Sequence, residues 1–253
     1  MSISANEDHV TGNALDSEAT RLGIQLSQRD SDAFNRYFEL LREGTRRAGL
    51  TSLSTRDQIE RRLFGESLAL LVGLRNANLV PSNRPFLVAD IGSGGGFPGI
   101  PMRILEPTMQ LALIEAQQRR CAFLESVTEQ LSLNNVRVLH TRAEDAGRNI
   151  KLRASFDLVV ARAVAPLDIL VEYALPLLQV GGILATPKGS NASKELTEAQ
   201  IAIEELGGVA LDPIPLSLPE QAPSQNVLVI RRQGKLNDRY PRRAGIPSKR
   251  RLR

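Results

Sequence analysis

The sequence predicts an α/β fold built on a mostly parallel sheet, with a short helical extension in front of it. Three observations carry this. From residue 86 onward, β-branched apolar runs alternate with helix-patterned segments. The first run, Phe86 to Ile91, opens directly into a glycine-dense turn containing Gly92, Gly94, Gly95 and Gly96, followed by Phe97-Pro98-Gly99. With 253 residues, 42% of them hydrophobic, the chain can also bury one large core.

Residues 1–28 are polar and acidic and read as a weakly ordered N-terminus. A helix begins near Asp30, with Phe34, Tyr37, Phe38 and Leu41 at i, i+3, i+4 and i+7 and Gly44 near its end. A second begins around Thr55 and carries Ile59, Leu63, Phe64 and Leu68 to Leu71. Residues 29–84 thus form the extension, and Pro81, Asn83 and Pro85 punctuate the passage out of it. Residues 85–234 form the main domain. Its strands are expected at 86–91, 110–115, 136–140, 156–161, 182–187, 209–214 and 226–232, with helices at 99–105, 118–131, 168–178 and 194–206 and a loop after the third strand. Residues 235–253 are a basic tail.

Strands separated by helices pair in parallel through right-handed crossovers, and a ligand then sits outside their carboxyl ends. The residues landing there are Gly92 to Phe97, Glu115, Ala143-Glu144, Arg162 and Lys188. The dinucleotide fingerprint needs a third glycine where Phe97 stands, and no GK[ST] follows to cradle phosphates. Glu115 ends the second strand, where a carboxylate can hold a ribose diol. This combination fits S-adenosylmethionine, which has a ribose and an adenine but no phosphate, better than NAD or ATP. The plainer alternative is a structural glycine turn, which a lone glycine motif would usually be.

Each strand-end residue carries two readings. Glu144 can accept from an adenine amine, with Ala143 against the ring, or it is a helix-start acid favoured by the macrodipole. Arg162 and Lys188 either contact donor or substrate or pair with a nearby acid. Glu172, Glu195 and Glu204 read as helix-surface charges, and Cys121 as a buried, inert thiol.

One cysteine and two histidines leave no disulfide and little for a metal site. No apolar run approaches a membrane span, and the polar start is not a secretory signal. A cytoplasmic protein is expected. Residues 231–253 hold ten Lys or Arg against one acid, Asp238, so this segment carries +9 within a whole-chain charge of +4. Such a tail is either a phosphate-backbone contact or a solvated terminus. The chain also lacks an Asn/Asp-Pro-Pro-aromatic motif after the fourth strand, where Arg162-Ala163-Val164-Ala165-Pro166 stands, and Cys121 is badly placed as a nucleophile. What remains is an acceptor with a ready lone pair and no proton to remove.

DIGSGGGFPGIP, RAED, FDLVVARAVAPL, the PKG after the fifth strand and YPRRAGIPSKR together resemble the bacterial small-subunit (16S) ribosomal RNA guanine-N7 methyltransferases, the RsmG or glucose-inhibited division protein B family. The resemblance spans about residues 33 to 250. It implies a class I S-adenosylmethionine-dependent methyltransferase fold, Rossmann-like with a seven-stranded sheet. S-adenosylmethionine would be the methyl donor and small-subunit ribosomal RNA or the 30S particle the partner; the chain itself is expected to be a monomer. By family position the donor is held by Gly92, Gly94, Phe97, Ala143, Glu144 and Arg162, with Glu115 at the ribose. Catalysis is by positioning, with no catalytic side chain, and the basic ending is tilted toward RNA contact. The chain departs from the family where Gly49 replaces an asparagine, Leu63 a histidine, and Gln225-Asn226 an Arg-His pair. These departures bear on the RNA side rather than on the donor. A small-molecule methyltransferase and a catalytically weakened ribosome-binding protein stay open as alternatives.

Overall fold

The alternating pattern folds into strands β1 (Phe86–Ile91), β2 (Met109–Glu115), β3 (Val136–His140), β4 (Phe156–Ala161), β5 (Leu178–Lys188), β6 (Gly208–Ala210), β7 (Ile214–Pro215) and β8 (Asn226–Arg232). The computed structural model describes residues 13–81, 84–219 and 222–252. One sheet runs β3-β2-β1-β4-β5-β8-β6, with β7 paired to β8 off that path. The five strands from β3 to β5 are parallel, while β8 is antiparallel to β5, β6 and β7. The strand expected at 209–214 is thus two short pieces, so among the described residues the sheet has eight strands rather than seven.

Among the described residues, twelve helical segments surround it. They are α1 (Asn13–Arg21), α2 (Gln28–Ala48), α3 (Arg56–Ile59), a π-helical turn (Glu60–Gly65), α4 (Glu66–Asn76), α5 (Gly99–Leu105), α6 (Gln118–Gln130), α7 (Ala143–Arg148), α8 (Leu167–Ala174), α9 (Ala192–Glu198), α10 (Gln200–Glu205) and α11 (Ile246–Lys249). Alternate residues of each strand feed opposite faces. Val88, Leu111, Leu113, Leu158 and Val160 join the core of α2, α4, α5 and α6. Ala89, Ile91, Ala112, Ile114 and Val159 join the core of α8 and α10.

The extension is built as its periodicity predicts, and its start is fixed by a capping box. Ser27 accepts the Asp30 N–H, and the Asp30 carboxylate accepts the Ser27 N–H. Phe34, Tyr37 and Phe64 then form an aromatic cluster against Phe97 of the glycine turn. Residues 13–21, expected within a weakly ordered stretch, instead form α1. Leu15 and Ala19 are buried there, the Leu15 N–H donates to Glu60, and buried Glu18 pairs with Arg21 and Arg61. Residues 1–12 lie outside the described part. The segment after β3 is the helix α7 rather than a loop. The helix expected at 168–178 ends at Ala174, two residues before Pro176, and that expected at 194–206 divides into α9 and α10.

The tail folds back on the domain. The Arg148 guanidinium donates to the Pro241 carbonyl at 2.8 Å, and Arg251 pairs with buried Asp168 at 3.5 Å. Arg242 grips Glu172 with Nε at 2.9 Å and Nη2 at 2.6 Å, while its own N–H gives a third bond at 2.8 Å. Glu172 is therefore no surface charge: it is fully buried. Removing Arg242 would leave that carboxylate unpaired, so Arg242→Ala is expected to lower unfolding free energy by about 2–3 kcal/mol, measured by urea titration.

Candidate functional site

The turn after β1 extends the ladder by one bond, from the Gly92 N–H to the Ile114 carbonyl at 2.8 Å, then leaves the sheet. Gly92 faces outward with φ +66°, and a Cβ there would sit 2.8 Å from Val164. Gly96, at φ +98°, is enclosed, and a Cβ would meet Ile100 and the Tyr37 hydroxyl at 2.5 Å. The glycines thus do two jobs. The first leaves backbone open toward the strand ends, and the later ones let the turn press onto the extension.

Three side chains hold the turn. Asp90, fully buried, accepts the Gly99 N–H at 2.9 Å through Oδ2, while Oδ1 has no partner. The Tyr37 hydroxyl donates to the Gly95 carbonyl. Glu115, 4% exposed, accepts the Gly94 N–H at 2.9 Å and the Gln117 N–H at 2.8 Å. Asp90 and Tyr37 are members the sequence reading missed, although an acid two residues ahead of the first glycine was a usable signal.

Burial pushes the Asp90 carboxyl up to about 8, with the Gly99 N–H opposing and the Glu115 charge adding to the rise. A carboxyl whose pKa is higher folded than unfolded makes the native state bind more protons, so stability falls as pH rises from about 4 to 8. Asp90→Asn removes that titration. Its melting temperature relative to wild type should climb between pH 5 and pH 9, and a pH-independent difference would contradict the assignment.

The other predicted residues divide. Ala143 begins α7 and is half-buried, and Glu144 is buried. One Glu144 oxygen accepts the Gly245 N–H at 2.9 Å, so the tail already occupies part of that carboxylate. Arg162 donates to Glu66 at 2.7 Å, with its enclosed Nη1 unpartnered, and desolvation holds its guanidinium below the usual arginine range. Lys188 donates to the Ala165 carbonyl at 3.0 Å and pairs with Glu195 at 2.8 Å. Glu195 is thereby a strand-end partner and not a free surface charge. The Phe97 side chain is turned into the aromatic cluster, stacked on Tyr37 at 5.4 Å. The β1–β2 and β1–β4 pairings bring Gly92, Glu115 and Arg162 to one edge of the sheet, because Ile91 pairs with both Ile114 and Ala161.

The family departures have structural accounts. Gly49 caps α2 in the left-handed region at φ +58°, a conformation that asparagine also adopts. Leu63, within the π-helical turn, packs into the hydrophobic core. The Gln225 carbonyl accepts the Leu216 N–H, and Asn226 opens β8 opposite Lys188. Among the described residues there is no cluster of three or more His, Cys, Asp or Glu able to hold a metal ion. No described helix is long and apolar enough to cross a membrane.

A family model described as rRNA small subunit methyltransferase G matches residues 30–217. The chain belongs to that family. It is 40% identical over 246 residues to the ribosomal RNA small subunit methyltransferase G of Chloroflexus aggregans, covering 96% of this chain and all of that one. It is 37% identical over 234 residues to the protein of the same name from Lactococcus lactis, covering 92% and 95%. In fold, it is similar to cofactor-bound Rv0187 from MTB, with a TM-score of 0.53 and 16% identity over 83% of this chain and 100% of that one. The methyltransferase G assignment and the α/β sheet therefore agree with the resemblance carried by the glycine turn and the ARAVAP stretch.

Proposed function

We propose that this chain methylates N7 of a guanine in small-subunit ribosomal RNA, with S-adenosylmethionine as donor. The family match across most of the chain carries the reaction class. The Glu115–Gly94 bond supports the donor. A phosphate would compete with a buried carboxylate for that loop amide and be repelled by it, whereas a ribose brings hydroxyl donors that a carboxylate accepts. A cradle with this charge suits a ligand that has a ribose and no phosphate.

When bound, S-adenosylmethionine supplies an electrophilic methyl group on a sulfonium. Gly92 would give it open backbone beside the Gly94 turn, Glu115 would offer its remaining lone pairs to the ribose, and Ala143 with the Glu144 region would flank the adenine. Glu144 is held by Gly245, so its orientation depends on the tail. Guanine N7 carries a lone pair and no proton, so no general base is needed and the protein's part is positioning. Arg162 and Lys188 are fastened to Glu66 and Glu195 and serve as positioning cations rather than proton carriers. Arg243, Lys249 and Arg250 are exposed on the tail, which makes them the part of it suited to RNA phosphates.

Radiolabelled donor should transfer its methyl group to small subunits or their RNA lacking the modification, with the label recovered as 7-methylguanosine. Label entering only a small-molecule extract would overturn the reading. Gly92→Asp should abolish donor binding in calorimetry. Glu115→Ala, which removes both the ribose acceptor and the bond to the Gly94 N–H, should weaken it at least tenfold.

A further inference from the structure

A cavity of about 570 Å³ is lined by Arg61, Arg62, Glu66, Leu218 and Pro219 with Ala222 and Pro223. Its size falls within the roughly 300–1,000 Å³ of small-ligand sites. Glu66 is the only acid among those residues. It starts α4 directly after the π-helical turn and is 7% exposed. Its Oε2 accepts from Arg162 at 2.7 Å, while Oε1 lies 3.9 Å from Arg62 Nε, beyond hydrogen-bond reach. Arg162 directly follows Ala161, the β4 partner of Ile91, so this ion pair stands beside the donor cradle. The pair therefore ends in an enclosed donor without an acceptor, Arg162 Nη1, next to a carboxylate with spare capacity.

We infer that this cavity receives the guanine to be methylated and that Glu66, fixed by Arg162, reads its Watson–Crick edge. The inference rests on the methyltransferase reading above. That edge presents, in sequence, the O6 acceptor, the N1–H donor and the N2 amino donor. Glu66, which lines the cavity and is held from behind by Arg162, offers carboxylate lone pairs to the N1–H and N2 donors. Adenine presents an unprotonated N1 and no N2 amino group instead, which sets lone pair against lone pair at Glu66. N7 lies on the other edge of the ring and stays free. Methylation there makes the ring cationic and N1–H more acidic, so its bond to Glu66 strengthens as the reaction proceeds, which is the differential binding that lowers a barrier.

The test uses the full chain, radiolabelled donor and unmodified small-subunit RNA, with GMP, IMP and AMP as competitive inhibitors. IMP lacks the N2 amino group. Wild type should be inhibited by GMP at concentrations at least tenfold below those needed for IMP or AMP. Glu66→Gln should keep donor affinity within twofold and bring the three inhibition constants within twofold of one another, whereas Glu66→Asp should retain the preference. A purely structural role for Glu66 would move the melting temperature and leave the ranking intact. Should Glu66→Gln fail to fold, Leu218→Trp fills the cavity from a half-buried wall and should raise the GMP constant at least tenfold with donor affinity unchanged. No preference in wild type, or a preference that survives in Glu66→Gln, overturns the inference. If wild type labels no RNA at all, the methyltransferase reading has failed. Equilibrium dialysis with labelled GMP and AMP then tests the cavity directly: preference for GMP supports it and equal retention overturns it.

Discussion

The turn from Gly92 to Gly99 is fastened from three directions, and the candidate site depends on that fastening. From within its own strand, Asp90 accepts the Gly99 N–H. From the neighbouring strand, Glu115 accepts the Gly94 N–H. From the helical extension, Tyr37 donates to the Gly95 carbonyl. A glycine loop left to itself has many conformations, and these bonds remove that freedom before any ligand arrives. The cost is a carboxyl buried without charge compensation, which the surrounding packing has to offset.

The same constraint explains why the N-terminal extension and the C-terminal tail belong to the site rather than decorating it. The extension contributes Tyr37 to the turn and Glu66 to Arg162. The tail contributes Gly245 to Glu144 and Arg242 to Glu172. Arg162 and Glu144 are thus each oriented by a partner from a distant part of the chain. Buried charges tolerate this only when paired, which makes the pairs specific and their loss costly.

Much of the fold was legible because it rests on local period. The 3.6-residue spacing of Phe34, Tyr37, Phe38 and Leu41 gave α2, and the β-branched runs gave the parallel strands. Helix α1 was not legible, since its apolar content is slight and Leu15, Glu18 and Ala19 make sense only against the π-helical turn they pack on. The site was legible to the level of which residues reach the strand ends. Their orientations were not: Phe97 stands among glycines in the sequence, yet its ring packs inward on Tyr37, and Glu172 looked like any helix acid because Arg242 lies 70 residues away.

By itself, the sequence determined the sheet type, the place of the turn and the family, because periodicity, glycine spacing and local motifs are properties of neighbours in the chain. Tertiary structure alone decided which charges are free. Arg162 meets Glu66, 96 residues away, and Glu144 meets Gly245, 101 residues away. Pairing across such distances is set by strand order and by the return of the tail, and only the folded arrangement brings those partners within hydrogen-bond reach.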